Sequence, residues 1–223
     1  ELQPWKDMMQ GGTVLIFGAG RHVRPALQQA GFQTTMWRRF ASGTCGAKEW
    51  PSPEPFQAAA MRYPDSSESF EFALHAVASN LSEGAPLWVY GDVREGVLST
   101  TRSIRGLFSL SAIHEDGDCR VISAVRTRGK AHEKFEHWLR QERIDFGHGL
   151  QDWWSVPGLF AAGKVDVMSQ YLLDTMAQVR EKLEASDTKW HLVSCDSCNV
   201  MDFASGTGVL AAGVLKMLSV GKC

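Results

Sequence analysis

The sequence predicts an α/β protein of doubly wound type, one lobe followed by the opening part of a second. Three observations predict it. Short apolar runs close on glycine turns at 13–17 before Gly18-Ala19-Gly20, at 87–90 before Gly91-Asp92, and at 200–203 before Ala204-Ser205-Gly206-Thr207-Gly208. Segments with apolar residues at helical spacing stand between such runs. A charged stretch, 129–152, separates the first block from a fresh start near Trp153.

Thr13-Val14-Leu15-Ile16-Phe17 has the length and apolar content of a buried strand. Val23, Ala26, Leu27 and Ala30 then share one helical face, Gly31 is placed to stop that helix, and residues 33–37 give the next strand. Residues 41–65 are rich in Pro, Ser and Gly and read as a long loop or insertion. Asp65-Ser66-Ser67-Glu68 has capping-box spacing, with Phe70, Leu74, Val77, Ala78 and Leu81 following at helical intervals. Strand 87–90 comes next, then an expected helix over 95–107. Two strands, 109–114 and 120–126, flank the polar turn Glu115-Asp116-Gly117-Asp118. Phe135, Trp138 and Leu139 form one apolar stripe, which predicts a connecting helix within 129–152. Residues 169–185 read as an amphipathic helix with Leu172, Leu173, Met176, Val179 and Leu183 on one side. The expected organisation is a first domain over 1–128, a linker helix over 129–152, and a second domain from 153 to 223.

Composition bounds the function. The chain is 44% hydrophobic with a formal charge of −2, so no basic surplus announces nucleic-acid binding and any RNA contact rests on a local patch. No apolar run approaches the roughly 18 residues of a membrane helix. Five scattered cysteines favour reduced thiols over a disulfide framework.

Three segments together resemble the small-subunit rRNA guanine-N2 methyltransferase family. The first is Trp88-Val89-Tyr90-Gly91-Asp92-Val93-Arg94-Glu95-Gly96-Val97, similar to a segment of that family's N-terminal domain. The second is Val156-Pro157-Gly158-Leu159-Phe160, followed by Asp166 and Ser169-Gln170-Tyr171-Leu172-Leu173, similar to the start of its catalytic domain. The third, Asp202-Phe203-Ala204-Ser205-Gly206-Thr207-Gly208-Val209-Leu210, looks like its S-adenosylmethionine motif. The resemblance implies a degenerate methyltransferase-like, Rossmann-like N-terminal domain that helps bind RNA. It also implies the opening part of a second, S-adenosylmethionine-binding Rossmann-like domain. The cofactor-binding residues it implies are Asp202, Ala204, Ser205, Gly206, Gly208, Asp166 and Ser169. Ala204 departs from the family's first turn glycine, and Met168 stands where the family has Gly. The family's Asn-Pro-Pro-aromatic catalytic loop is absent from these 223 residues. No residue here is therefore a candidate for the chemical step, and the chain alone is expected to transfer no methyl group. The same resemblance places the partners of strand 200–203 after Cys223, so that strand is expected to be unstable alone.

Each signal has a plainer rival. Gly18-Ala19-Gly20 lacks the third glycine of a dinucleotide fingerprint and reads as a vestigial turn. Cys195 and Cys198 with His191 make only three candidates for a zinc site that needs about four, so a loop with two thiols is preferred. Arg38-Arg39 and Arg126-Thr127-Arg128-Gly129-Lys130 could hold phosphates, but a solvated face explains them. His132 and His137 read as surface residues. Trp153-Trp154 offers base stacking, or more simply a packed seam.

The first functional reading is an S-adenosylmethionine-dependent rRNA (guanine-N2) methyltransferase, present as an incomplete chain. Its partner would be small-subunit rRNA or the ribosomal subunit, with no membrane and no DNA, in the cytoplasm or an organelle such as the mitochondrion. The second is a noncatalytic ribosome-associated or ribosome-assembly protein derived from such an enzyme. A nicotinamide-dependent oxidoreductase rests only on the glycine turns, and residues 157–173 argue against it.

Overall fold

A computed structural model describes residues 11–18, 22–39, 47–64, 66–145, 149–159, 164–184 and 208–219. It contains two compact units, Glu1–Trp138 and Leu139–Cys223.

The first unit is a six-stranded sheet. Its strands are β1 (Thr13–Phe17), β2 (Gln33–Trp37), β3 (Ala58–Arg62), β4 (Pro86–Asp92), β5 (Phe108–Asp116) and β6 (Cys119–Arg126), in the spatial order β2-β1-β3-β4-β6-β5. β2, β1, β3 and β4 run parallel, and β6 lies antiparallel between β4 and β5. β5 is an edge strand with a bulge between Leu110 and Ala112. The helices are α1 (Val23–Gln29), α2 (Ser67–Ala78) and the short α3 (Thr100–Ser103).

Local chemistry sets the ends of these elements. Gly31 takes φ +92 after α1, and its N–H donates to Gln28 O while Phe32 N–H donates to Leu27 O. That double closure needs a left-handed residue, and glycine has no Cβ to oppose it. α2 starts one residue later than the capping-box spacing suggests. Ser66 is the cap, accepting from Ser69 N–H at 3.1 Å.

Alternation along the strands divides the core between two faces. Val14, Ile16, Ala58, Ala60 and Trp88 pack with Leu27 and Phe32 on one face. Leu15, Ala59, Met61, Leu87, Val89 and Ile122 pack with Phe70, Phe72, Leu74 and Val77 of α2 on the other. Parallel strands buried on both faces read as continuous apolar runs, which is why β1 and β4 were visible in the sequence.

Three expectations in this unit are corrected. Residues 41–65 are not all loop, because β3 lies within them and pairs with both β1 and β4. The expected helix over 95–107 is two 3₁₀ turns, Val93–Glu95 and Val97–Ser99, followed by α3. Gly96 at φ +90 interrupts a continuous helix there. The connecting helix over 129–152 is also absent. Residues 129–134 have no regular structure, Phe135–Trp138 is a 3₁₀ turn, and the rest enters a β-hairpin. Phe135 and Trp138 are spaced for that turn to set both rings against Phe72, at 6.2 and 5.4 Å between centroids.

The second unit holds the hairpin β7 (Arg140–Asp145) and β8 (Leu150–Ser155), then α4 (Val167–Glu184) and α5 (Val209–Ser219). Ile144, Leu173, Val209 and Val214 form its core, with Trp153 against it. Gly213 permits the close approach of the two helices. A Cβ there would lie 2.7 Å from Leu173 Cδ2. α4 buries less than its pattern suggests: Leu173 is enclosed, whereas Leu172, Met176 and Val179 are exposed. Strand 200–203 lies outside the described residues.

Candidate functional site

The expected cofactor residues lie in the second unit. Asp166 stands immediately before α4 and acts as its cap. Its Oδ1 accepts from Met168 N–H at 3.0 Å and Ser169 N–H at 3.1 Å, and its Oδ2 accepts from Ser169 Oγ–H at 2.5 Å. The hydroxyl and amide bonds from Ser169 hold its carboxyl below the usual carboxylate range. The structure thus brings Asp166 and Ser169 together, each occupied with the other. Met168 at this helix start has its side chain exposed, so the missing glycine leaves the cap intact. Gly208 takes φ +75 before α5, and no atom of the described residues lies within 4 Å of where a Cβ would sit. Asp202, Ala204, Ser205 and Gly206 lie outside the described residues, as do His191, Cys195 and Cys198.

The first unit has a crevice of its own. β1 has β2 on one side and β3 on the other, so the strand order reverses at the carboxyl ends of β1 and β3. Doubly wound folds bind ligands at such a reversal. Gly18 turns here with φ +62, and Arg62 and Tyr63 close β3. The charged groups nearby are neutralised in pairs. Arg62 Nη2 meets Glu95 Oε1 at 2.7 Å, and Arg94 Nη2 meets Asp92 Oδ2 at 2.7 Å. Asp92 also accepts from Arg94 N–H, and Glu95 accepts from Asp92 N–H, which makes a capping box on the 93–95 turn. Hydrogen bonds from the Arg94 side chain and backbone push the Asp92 carboxyl down to about 2. A carboxylate held this way is a poor proton acceptor near neutral pH. Residues 92–96, within the segment 88–97 that is one of the three behind the family resemblance, thus form a capped turn.

The basic clusters divide between packed residues, Arg39 and Arg126, and exposed ones, Arg128 and Lys130. Arg39 lies over the Phe72 ring with its guanidinium carbon 4.1 Å from the centroid, and burial lowers its pKa. Arg126 donates to the carbonyls of Ala78 at 3.0 Å, Leu107 at 3.0 Å and Thr127 at 2.6 Å. Position carried the signal that residue type hid: Ile122, Ala124 and Arg126 alternate on one side of β6, and the first two are buried. Arg128 is exposed and meets Glu83 at 2.8 Å.

His132 and His137 are exposed, as the sequence suggests. His132 stacks on His75 with centroids 4.8 Å apart, lies 5.3 Å from the His137 ring, and donates its backbone N–H to His75 Nδ1. Burial first, then the charges of His132 and Arg126, lower His75 to about 4. The tryptophan pair divides, with Trp153 packing into the second unit and Trp154 57% exposed. Among the described residues no group of three or more His, Cys, Asp or Glu could hold a metal ion. No described helix is long and apolar enough to cross a membrane.

No family model matches the chain. It is similar to the ribosomal RNA small subunit methyltransferase C of Hahella chejuensis, 22% identical over 228 residues, covering 95% of this chain and 61% of the relative. It is similar also to the protein of that name from Marinomonas sp., 25% identical over 149 residues, covering 66% of this chain and 39% of the relative. This similarity points to the small-subunit rRNA methyltransferase C family. The chain spans roughly half the length of these curated relatives. Among solved structures it resembles the T. thermophilus 16S rRNA N2 methyltransferase RsmC, captured with AdoMet and guanosine. The TM-score is 0.51 at 19% identity, over 79% of this chain and 52% of that one. The shared feature is the Rossmann-like α/β methyltransferase fold.

Proposed function

We propose that this chain is the N-terminal domain and the opening of the catalytic domain of an S-adenosylmethionine-dependent rRNA (guanine-N2) methyltransferase. The observation that carries the reading is the extent of the similarity. It runs over 95% of the chain, through both units and in one order. S-adenosylmethionine, when bound, supplies a methyl group on a positively charged sulfur. The residues proposed to hold it are Asp202, Ala204, Ser205, Gly206 and Gly208, together with Asp166 and Ser169, which fix the start of α4. Gly208 suits this role, because it adopts φ +75 at the start of α5 and no atom of the described residues stands where its side chain would be. The groups that accept the guanine amine belong to an Asn-Pro-Pro-aromatic loop absent from these residues, so this part of the protein positions and does not react. The first unit, with its acids paired to arginines, serves in this reading as a support for RNA. Small-subunit rRNA is the proposed substrate.

Equilibrium dialysis with labelled S-adenosylmethionine tests the reading, alongside incubation with unmethylated small ribosomal subunits. The 223-residue chain is expected to leave guanine unmethylated, and any S-adenosylmethionine it retains is expected to be lost on Gly206→Asp. Retention of the nicotinamide dinucleotide instead of S-adenosylmethionine would overturn the cofactor. Incorporation of label into guanine would overturn the assignment of the chemistry to absent residues.

A further inference from the structure

The two ends of the first sheet differ in charge. At the carboxyl ends of β3 and β4, Arg62 and Arg94 are each matched by an acid. At the amino end of β4, two runs distant in sequence are drawn together. β5 opens where β6 closes, with Phe108 opposite Arg126. Thr127 N–H donates to Leu107 O at 2.9 Å, and Thr127 Oγ1–H donates to Gly106 O at 3.3 Å. Gly129 then lies so near Gly106 that a Cβ on it would stand 1.5 Å from Gly106 O. Arg105 precedes the first of these glycines, and Arg128 and Lys130 flank the second. Arg105 N–H donates to Arg102 O, and side chains three apart on such a turn are neighbours. All four of these cations are exposed. Neither run, 100–110 or 126–132, contains Asp or Glu. Among the described residues the side chains of Arg102, Arg105 and Lys130 enter no ion pair, and Arg128 is shared with Glu83. An exposed pair of that kind is weakly held, so Arg128 can exchange Glu83 for another anion.

A second feature adjoins the cations. Residues three apart on a regular strand point to opposite faces. The bulge in β5 alters that: Leu110 stands opposite Ala124 and Ile113 opposite Ile122, two positions on one face of β6. Leu110 and Ile113 therefore share a side, and both are exposed, at 46% and 40%. They border a cleft of about 620 Å³ whose other walls include Arg105 and the hydroxyl residues Thr101 and Ser109.

We propose that this end of the first unit holds a single strand of RNA. Phosphates lie on Arg102, Arg105, Arg128 and Lys130, and one base lies against Leu110 and Ile113. A nucleic-acid strand carries a flat, partly apolar base beside every phosphate, which is the combination the cleft and its rim offer. An acidic polypeptide offers the charge without the flat face. The base must be unstacked to reach the shelf, which favours a single strand over a duplex. The choice of RNA as the polyanion rests on the function proposed above, whereas the placing of the strand rests on these residues.

Fluorescence anisotropy of the 223-residue chain with a labelled uridine oligonucleotide tests it. Each phosphate neutralised on a single strand contributes about 0.7 to the slope of log affinity against log salt. Arg102→Gln with Arg105→Gln should therefore lower that slope by about 1.4 and weaken binding about twentyfold at ~0.1 M salt. Arg102→Lys with Arg105→Lys should keep the slope. Arg62→Gln with Arg94→Gln removes equal charge from the crevice end and should weaken binding less than about threefold. Leu110→Ser with Ile113→Ser should weaken binding at an unchanged slope. Unaltered urea midpoints show that the variants fold. Equal weakening by the two Gln pairs would overturn this face and leave the functional reading standing, and absence of any RNA binding at low salt would overturn both. Polyglutamate that displaces the strand as well as polyuridine does, charge for charge, would replace RNA by an acidic protein as the partner.

Discussion

Replacing Arg126 by Met separates two meanings of a basic residue. The methionine keeps an apolar stem beside Phe108, whose ring centroid lies 5.7 Å from the guanidinium carbon, and removes the charge and its donors. Three carbonyls lose a partner: Ala78 at the end of α2, Leu107 in the turn before β5, and Thr127 after β6. A hydrogen bond involving a charged group contributes about 1.5–3 kcal/mol. Arg126 is half-buried, so the lower value applies, and the bond to Thr127 is local. The two long-range bonds then predict a loss of about 3 kcal/mol, a large part of a domain's ~5–15 kcal/mol. With a urea slope of about 2 kcal/mol per molar, the midpoint falls by ~1.5 M, measured by tryptophan fluorescence. Arg128→Met is the reference, since its exposed pair with Glu83 is worth ~0–1 kcal/mol. A loss below about 1 kcal/mol in Arg126→Met would refute the clamp. So would weaker RNA retention at unchanged stability, which would return the residue to a phosphate-binding face.

Other outcomes follow from the same geometry. His75 has a folded-state pKa of about 4, below its unfolded value, so its contribution is complete above about pH 6.5 and is lost as pH falls toward 4. Because the ring is only half-buried, the loss is discounted for solvent screening to about 1–2 kcal/mol, and His75→Phe should flatten that part of a urea-midpoint profile. Gly129→Ala would place a Cβ 1.5 Å from Gly106 O, backbone that must move, and thermal unfolding should register a loss of about 2–3 kcal/mol. Asp166→Ala removes the cap of α4, so hydrogen exchange at Met168 and Ser169 should speed up while β1 and β4 keep their protection.

The sequence displayed the fold best where burial was two-sided. β1 and β4 are uninterrupted apolar runs, and the β5–β6 hairpin is marked by its polar turn. β3 was hidden because Ala58-Ala59-Ala60 has little intrinsic strand preference and follows three prolines. Its place between β1 and β4 comes from tertiary packing, which needs small side chains there. The charged region misled for a different reason. Phe135, Trp138 and Leu139 stand at i, i+3 and i+4, a helical signature, yet two of them serve a single 3₁₀ turn and the third leads into a strand. At the candidate site, Asp166 and Ser169 were legible because a three-residue spacing is what a cap requires. The roles of Arg39 and Arg126 were not, because a charge attracted by backbone carbonyls or a ring looks in sequence like any charge facing water.

The bulge in β5 has a consequence for how far this sheet extends. Among the described strands only β6 pairs with β5, so the other side of this nine-residue strand meets no described strand. A further strand approaching that side would meet an extra residue between Leu110 and Ala112 and lose its alignment there. Beyond the bulge it would meet His114, Glu115 and Asp116, three ionisable side chains in succession. One inserted residue thus works as a terminator, ending at six strands a surface that backbone hydrogen bonding alone would let grow without limit.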